Sequence, residues 1–317
     1  MVSAAVKPRI AITVGDPAGI GPEIAIKAAA DSAVLDACEP ILYGPYTSAE
    51  LEPFPPGALS AGAGRAAYDA IVAAVRDAQA GTIDAIATAP VNKEAFALAG
   101  LPWKGHTDLL AHLTGAPNVA MMFHADELRV VLATIHVPLK DVARLLTPAL
   151  LESVIDLTAR ELPRFGFSTP RLAVTGLNPH AGEHGVIGNE EETSLRPAIE
   201  ACRARGIDVT GPWPADTVFV RASQGAYDAV IACYHDQGLI PVKLVAFGRA
   251  VNVTLGLPIV RTSVDHGSAF DIAGRGLAAH GSLVAAVLLA ARLARANRSG
   301  ASSIEPVSAT RVQSREP

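Results

Sequence analysis

A chain of 317 residues, half of them hydrophobic and 18% charged, has the composition of a folded globular protein and is long enough for two domains. Its 31 acidic and 26 basic residues leave a net charge of −5 without a lysine or arginine cluster, which argues against nucleic acid as a partner. The 3 cysteines are widely spaced, which argues against a disulfide framework and favours a reducing cytoplasm.

We expect neither an export signal nor a membrane-spanning helix. The N-terminus lacks a secretory signal pattern, and the most apolar helical segment, 283–291, is shorter than the roughly 20 residues that a bilayer span needs. We therefore expect no membrane partner. The segment 299–317 is rich in Ser, Arg, Glu and Pro without a period, and this composition predicts a disordered tail.

The first predicted elements form a strand–turn–helix unit. Residues 10–14 have the pattern of a buried strand, and a helical pattern ends near Ala30. The glycine-rich turn between them, Gly15 to Gly21, offers backbone N–H groups to a ligand but matches neither the dinucleotide G-x-G-x-x-G spacing nor a P-loop. A tight turn that simply needs glycine is an equally good interpretation.

Helical and strand patterns then alternate along the chain. Helices are predicted at 64–80, from Gly105-His106-Thr107-Asp108 with Thr107 or Asp108 as N-cap, at 147–162 and near 195–203; strands are predicted at 85–88, 130–135, 172–177 and 229–233. Residues 211–217 read as a Pro/Gly loop that carries Asp216. This alternation predicts an α/β protein with a parallel sheet, in which ligands bind beyond the carboxyl ends of the strands.

Polar residues are concentrated in the otherwise apolar segment 228–276. Tyr234 to Gly238 directly follow a predicted buried strand, and Asp265 to Ser268 follow another β-rich run. Between these two groups lie four further polar side chains, those of Lys243, Arg249, Asn252 and Arg261. Acid, base, amide and cation in an apolar framework indicate a functional site.

Three histidines, His136, His180 and His235, each follow a predicted strand. Imidazole is a common ligand of Zn²⁺ and Co²⁺, and three protein nitrogens leave coordination positions open for a substrate. Ligands this far apart form no local motif, however. From the spacing alone, three hydrogen-bonded histidines at strand ends are therefore the better explanation.

Eight motifs carry a family resemblance, and they are GDPAGIGPE, ATAPVNK, GHTDLLA, TIHVPLKDV, GLNPHAGE, GPWPADTVF, YHDQGLIPVK and FGRAVNVTLGLPIVRTSVDHGSA with DIAG. From about residue 9 to 297 the chain resembles the 4-hydroxythreonine-4-phosphate dehydrogenases of vitamin B6 biosynthesis. The resemblance implies an isocitrate/isopropylmalate-dehydrogenase-like fold: two α/β/α domains with a cleft between them, and a homodimer. The first domain is expected at 1–130 plus about 270–298, and the second, with the dimer interface, at 131–269.

The resemblance also assigns roles to individual residues. The metal ligands fall on His136, His180 and His235, with His235 supplied by the partner subunit so that the active site is shared. Substrate contacts fall on His106, Thr107, Lys243, Asn252 and Arg261. The cofactor loop falls on Asp265, His266, Gly267, Ser268, Ala269 and Asp271. The chain departs from the family at three places: Ser268 in place of a frequent Thr, Trp103-Lys104, and a shortened stretch before Gly64. The last two leave the finer identity of the substrate open.

The reaction implied is an NAD- or NADP-dependent oxidation of a small phosphorylated hydroxy acid, assisted by Zn, Mg or Co. 4-Phosphohydroxy-L-threonine would give a 3-keto acid that decarboxylates to 3-amino-2-oxopropyl phosphate. Lys243, expected to be desolvated, would transfer the proton, with Asp216 or Asp236 orienting it or a water; which group is the base stays open. The alternatives are a 4-phospho-D-threonate or erythronate dehydrogenase of sugar-acid catabolism, an aromatic cis-dihydrodiol dehydrogenase, and a non-catalytic binding protein, which would require lost ligand residues.

Overall fold

The computed structural model describes residues 6–299, so the predicted tail at 299–317 lies outside the described residues except for Ser299. The described chain divides into two compact units, 6–123 with 247–299, and 124–246. Residues 247–269, predicted for the second domain, lie in the first unit. The reason is strand pairing, because 260–263 run parallel to 85–88 in the first unit and antiparallel to the strand at 251–255.

The first unit is built around a largely parallel sheet. Its strands are β1 (Arg9–Thr13), β2 (Glu39–Tyr43), β3 (Ala85–Thr88), β4 (Ala120–His124), β9 (Val251–Leu255) and β10 (Val260–Ser263), in the spatial order β2-β1-β3-β10-β9-β4. Its helices are α1 (Gly21–Ala29), α2 (Ser32–Ala37), α3 (Ser48–Leu51), α4 (Ala61–Gln79), α5 (Lys93–Leu98), α6 (His106–Thr114) and α12 (Gly281–Ser299). Every residue of β3 and β10 is buried, as expected for strands covered on both faces.

The second unit repeats this architecture on a smaller scale. Its strands are β5 (Arg129–Leu132), β6 (Leu172–Thr175), β7 (Val209–Trp213) and β8 (Ala229–Ala232), all parallel in the spatial order β5-β8-β6-β7. Its helices are α7 (Leu139–Leu145), α8 (Pro148–Glu161), α9 (Arg196–Ala204), α10 (Ala215–Ser223) and α11 (His235–Ala246), with a 3₁₀ turn at Leu162–Phe165 and a π turn at Glu191–Leu195. The α/β class and the parallel sheets are thus confirmed.

Local sequence chemistry explains two of the motifs without invoking a ligand. In the first turn, a Cβ on Gly15, whose φ is +70°, would lie 2.2 Å from the Pro90 carbonyl oxygen, and one on Gly21 would lie 1.9 Å from that of Val14. In ATAPVNK, the Asn92 side chain caps α5 by accepting from the Glu94 and Ala95 amides at 2.9 and 3.1 Å. These residues shape the backbone, so the interpretation of the first turn as a glycine-requiring turn is supported.

Several predicted element boundaries need correction. Helix α6 has Gly105 as its N-cap, without a side-chain cap, because the Asp108 carboxylate accepts from the Lys104 amide instead. The predicted loop at 211–217 contains the end of β7 and the start of α10. Helix α11 was not foreseen, since it contains Pro241 and begins directly at the polar residues that follow β8.

Two further properties concern the whole described chain. Cys38, Cys202 and Cys233 are all buried and free. Within residues 6–299, no helix combines the length and the hydrophobicity that crossing a membrane requires.

Candidate active site

The three predicted metal ligands follow three neighbouring strands of the second unit. Strands β5, β8 and β6 are adjacent and parallel, and His136, His235 and His180 respectively come after their carboxyl ends. All three histidines therefore emerge at the same edge of one sheet, where α/β proteins bind their ligands. The sequence pattern places the carboxyl end of each strand one to three residues too far along the chain, but the placement of the histidines after the strands is confirmed.

His136 and His235 lie next to each other. Their ring centroids are 5.6 Å apart with the planes inclined by 40°, and both side chains line one pocket. The Nδ1 atom of His235 lies 2.7 Å from Oδ1 of Asp236. This contact fixes the ring and directs Nε2 away from the carboxylate, as in the carboxylate–histidine pairs of metal sites. Backbone strain accompanies the pair, because His136 has a φ of +22°.

His180 lies on an unusual backbone segment. Residues 180–184 all have positive φ, with values of +54°, +53°, +77°, +43° and +55°, and so form a turn of left-handed sense. Only Gly182 adopts this conformation without a penalty, and the other four residues each cost about 1–2 kcal/mol. Surrounding contacts must therefore hold this turn, which we call the left-handed turn, in place.

Two side chains, the buried Glu191 and the half-buried Gln237, make hydrogen bonds to the backbone that leads into this turn. Glu191 is 1% exposed and its Oε1 accepts from the amides of Leu177 and Asn178 at 2.8 and 2.7 Å. Gln237 of α11 bridges the ends of β6 and β8, since its Oε1 accepts from the Cys233 amide and its Nε2 donates to the Gly176 carbonyl, both at 2.7 Å. Sequence reasoning missed both roles. In the sequence, Gln237 stands in YHDQG and Glu191 in NEEE, each among other polar residues, so nothing distinguished these two from their neighbours.

A single chain does not gather all three histidines. Among the described residues, no three His, Cys, Asp or Glu side chains converge as a group that could hold a metal ion. One chain thus brings His136 to His235 but does not bring His180 to them.

The predicted proton-transfer groups have different surroundings from those expected. Lys243 is exposed on α11, so the expectation that burial desolvates it is wrong for the single chain. It lines an open groove together with His235 and Asp236, about two helical turns away on α11. Asp216 is exposed in the first turn of α10, where its charge favours the helix dipole.

In the first unit, Arg261 is a buried cation with uncharged partners. It is 2% exposed, and it donates to the hydroxyls of Thr254 and Thr88 at 2.9 and 2.7 Å, while its Nε has no partner. Desolvation lowers the pKa of Arg261 to about 9, so the group is still charged at neutral pH. A buried, unneutralised guanidinium is suited to a bound anion.

The other predicted substrate contacts of the first unit also carry unpaired polar atoms. His106 begins α6 and its Nε2 is buried without a hydrogen-bond partner. Burial, and secondly the charge of Arg261, hold the pKa of His106 well below its ordinary value, so the ring is neutral. Oδ1 of Asn252 is likewise buried and unpartnered, opposite Ser263 in the sheet. Thr107 lies half-buried in the first turn of α6.

Thr88 and Ser263 belong to the same polar group, although sequence reasoning did not select them. The Thr88 hydroxyl lies 2.9 Å from that of Ser263, and these residues are register partners at the ends of β3 and β10. Hydrophobic periodicity distinguishes strands from turns, but it does not indicate that a threonine or serine within an apolar strand belongs to a functional site.

The predicted cofactor loop follows β10. The Asp265 carboxylate accepts from the Ser282 hydroxyl at the start of α12 at 3.2 Å, and the Ser268 carbonyl accepts from the Ile20 amide at 3.0 Å. A Cβ on Gly19 would lie 2.9 Å from Ser268, so the loop packs closely on the first turn of the chain. Ala269 has a φ of +41°, whereas His266, Gly267 and Asp271 are exposed.

Known proteins resemble this chain over most of its length. Residues 16–290 match the family model described as pyridoxal phosphate biosynthetic protein PdxA. The chain is 47% identical to a 4-hydroxythreonine-4-phosphate dehydrogenase of Beijerinckia indica, over 90% of this chain and 94% of that protein. It is 44% identical to a D-threonate 4-phosphate dehydrogenase of Cupriavidus necator, over 90% of this chain and 97% of that protein.

Solved structures also resemble this chain over most of its length. The crystal structure of a 4-hydroxythreonine-4-phosphate dehydrogenase from Klebsiella pneumoniae is similar with a TM-score of 0.83 and 41% identity, covering 92% of this chain and 99% of that chain. A terephthalate 1,2-cis-dihydrodiol dehydrogenase from Burkholderia xenovorans is more distant, with a TM-score of 0.64 and 32% identity, covering 90% of this chain and 98% of that one. With a family model matching most of its length and relatives of this similarity, the chain belongs to the PdxA family.

Proposed function

We propose that this protein is an NAD(P)-dependent, divalent-metal-dependent dehydrogenase that oxidises 4-phosphohydroxy-L-threonine to a 3-keto acid, which decarboxylates to 3-amino-2-oxopropyl phosphate. The observation that carries the proposal is the His136–His235 pair with its orienting Asp236, placed after adjacent parallel strands. Family membership supports the reaction class, since relatives named 4-hydroxythreonine-4-phosphate dehydrogenase cover nearly the whole chain.

The residues fit a divalent ion as its ligands. Two imidazoles with centroids 5.6 Å apart can direct one nitrogen each to a common ion, given metal–nitrogen bonds of about 2.0–2.1 Å. His136, His235 and His180 would hold the ion, and Zn, Mg or Co are the candidates. When bound, such an ion polarises the substrate's hydroxyl and the carbonyl that is formed from it.

The chain's own residues would bind the rest of the substrate. Arg261, charged and without an acidic partner among the described residues, is suited to an anionic group of the substrate. The neutral His106 and the Asn252 amide offer unpaired polar atoms to oxygen or nitrogen groups. Lys243, exposed in the groove beside His235, would carry the proton. The loop from Asp265 to Asp271 would hold NAD or NADP.

We infer that the active form is a homodimer with a shared active site. Helix α11 exposes an apolar row formed by Ile240 and Leu244, which are 67% and 85% exposed, and Leu139 nearby in sequence to His136 is 67% exposed. Burial of such side chains against a second copy would stabilise an interface. The family resemblance makes His235 the ligand that a partner supplies, whereas the contact of His136 with His235 within one chain leaves His180 as the ligand to be supplied.

A second substrate remains a candidate because the relatives divide between two names. A D-threonate 4-phosphate dehydrogenase is 44% identical to this chain, close to the 47% of the 4-hydroxythreonine-4-phosphate dehydrogenase. 4-Phosphohydroxy-L-threonine carries an amino group where 4-phospho-D-threonate carries a hydroxyl, and both carry the phosphate.

The test is formation of NADH or NADPH by the purified protein with each phosphorylated substrate, before and after chelation and with metal restored. We expect turnover of 4-phosphohydroxy-L-threonine that disappears on chelation and returns with Zn²⁺ or Co²⁺. Higher kcat/KM with 4-phospho-D-threonate would establish the second candidate. Full activity after exhaustive chelation would contradict the metal requirement.

A further inference from the structure

Glu191 is a buried carboxylate whose position cannot be explained by an ion pair. It is 1% exposed, and its partners are uncharged: the Leu177 and Asn178 amides on Oε1, and the Asn178 side-chain amide on Oε2 at 2.9 Å. Burying a carboxylate is costly unless hydrogen bonds compensate for the lost water. The carboxylate thus stabilises the backbone that it contacts.

That backbone leads directly into the left-handed turn. Leu177 and Asn178 connect the end of β6 to Pro179, and the turn begins with His180. The carboxylate also packs on the inside of the turn, since a Cβ on Gly182 would lie 2.6 Å from Oε2 and one on Gly176 would lie 3.3 Å from Oε1. Glu191 therefore contacts both the entry to the turn and its centre.

We propose that Glu191 is a positioning residue that holds the left-handed turn in its strained conformation and thereby fixes the direction of His180. The turn places four non-glycine residues in a conformation that they rarely adopt, so it requires a strong local anchor. The carboxylate provides three charge-assisted hydrogen bonds within this segment. The link to metal binding rests on the proposed function, whereas the link to the turn does not.

Three variants separate the contribution of the hydrogen-bond acceptors of Glu191 from that of its charge. Glu191→Ala removes all acceptors, and Glu191→Gln keeps one oxygen for the two backbone amides but removes the charge. Glu192→Gln is the matched control, because Glu192 is the next residue, undergoes the same chemical change, and pairs instead with Arg196.

The first measurement is hydrogen exchange of the Leu177 and Asn178 amides in metal-free protein. We expect exchange at least about tenfold faster in Glu191→Ala, an intermediate rate in Glu191→Gln, and no change in Glu192→Gln. If Glu191→Ala does not fold, the comparison of the two glutamine variants decides. Unchanged exchange in the Glu191 variants would overturn the proposal, whatever the protein binds.

The second measurement is Co²⁺ affinity, determined by titration of wild type, Glu191→Gln, His180→Ala and the double variant. If Glu191 acts through His180, Glu191→Gln weakens Co²⁺ binding by about 10-fold to 100-fold in wild type but has no further effect in His180→Ala. Equal weakening in both backgrounds would show a general structural role and overturn the positioning role. Absence of Co²⁺ binding by wild type would instead contradict the proposed function, and the exchange result alone would then decide whether Glu191 holds the turn.

Discussion

Arg261 donates a hydrogen bond from Nη2 to the hydroxyl of Thr88 at 2.7 Å, and this hydroxyl, not a carboxylate, is its shortest contact. The Thr88 hydroxyl can serve other partners without Arg261, because Ser263 lies 2.9 Å from it. The buried guanidinium is thus held by groups that do not neutralise its charge. Such an arrangement costs stability in the ligand-free protein and favours an anionic ligand.

The first prediction concerns replacement of this cation. Arg261→Met keeps most of the side-chain volume, so we expect the unfolding midpoint of the ligand-free protein to stay unchanged or rise. KM for the phosphorylated substrate should increase by at least about tenfold, since a charge-assisted hydrogen bond contributes about 1.5–3 kcal/mol. KM for NAD should change little. Steady-state kinetics and thermal unfolding check this, with exposed Arg275→Met as control; equal effects on both KM values would contradict the role in substrate binding.

The second prediction is a pH dependence that originates at His106. Burial and the charge of Arg261 lower the pKa of His106 well below 6.5, so on acidification the unfolded chain binds a proton before the folded chain does. Stability contributed by the neutral ring is therefore full above pH 6.5 and is lost as pH falls below it. His106→Asn should reduce the loss of unfolding free energy between pH 7 and pH 5, as measured by urea denaturation. An identical pH profile for variant and wild type would contradict this assignment.

The third prediction concerns the shared site and uses mixtures of inactive chains. The family resemblance places His235 in the partner's site. A heterodimer of a His235→Ala chain with a His136→Ala chain would then have one intact site and one site that carries both substitutions. Mixing the two chains should therefore restore about half of normal activity. The ring contact of His136 and His235 within one chain instead favours recovery in a mixture of His136→Ala with His180→Ala. Differently tagged chains report heterodimer formation. If heterodimers form and neither mixture recovers, the site is not shared.

The fourth prediction compares two glycines of the same segment. Gly182 and Gly185 have φ values of +77° and +91°, so alanine is strained at both. Only at Gly182 would the new Cβ collide with Glu191, at 2.6 Å, whereas at Gly185 nothing lies within 4 Å. Gly182→Ala should therefore cost about 1–3 kcal/mol more unfolding free energy than Gly185→Ala. Equal losses in chemical denaturation would mean that the packing of Glu191 against the turn is loose.

Much of the fold could be predicted because hydrophobic periodicity is a local signal. The β3 bounds, the cap and start of α8, and the histidines after β5, β6 and β8 all depend on residues adjacent in sequence. Helix α11 was missed because Pro241 and a polar start hide its period. The exposure of Lys243 was also mispredicted, since burial depends on which distant segments cover a residue.

Within the candidate site, the residues that could bind a metal ion or a substrate could be predicted from the sequence. The residues that hold the surrounding backbone in place could not. Gln237 and Glu191 act through hydrogen bonds to backbone atoms of Gly176, Leu177 and Asn178, which have no side-chain signature. The left-handed conformation of His180 was equally hidden, because only one residue of that turn is glycine.

The three buried thiols can report local opening motions of the protein through their rates of chemical modification. Burial raises the pKa of Cys38 and Cys202 to about 11 and that of Cys233 to about 12, so at neutral pH each is protonated and shielded from reagents. Alkylation can then proceed only from conformations in which the surrounding segment has opened. Cys38 reports on the first unit, Cys202 on α9, and Cys233 on the strand end next to His235. Labelling rates at the three positions would thus rank the local stabilities of these regions without any introduced label.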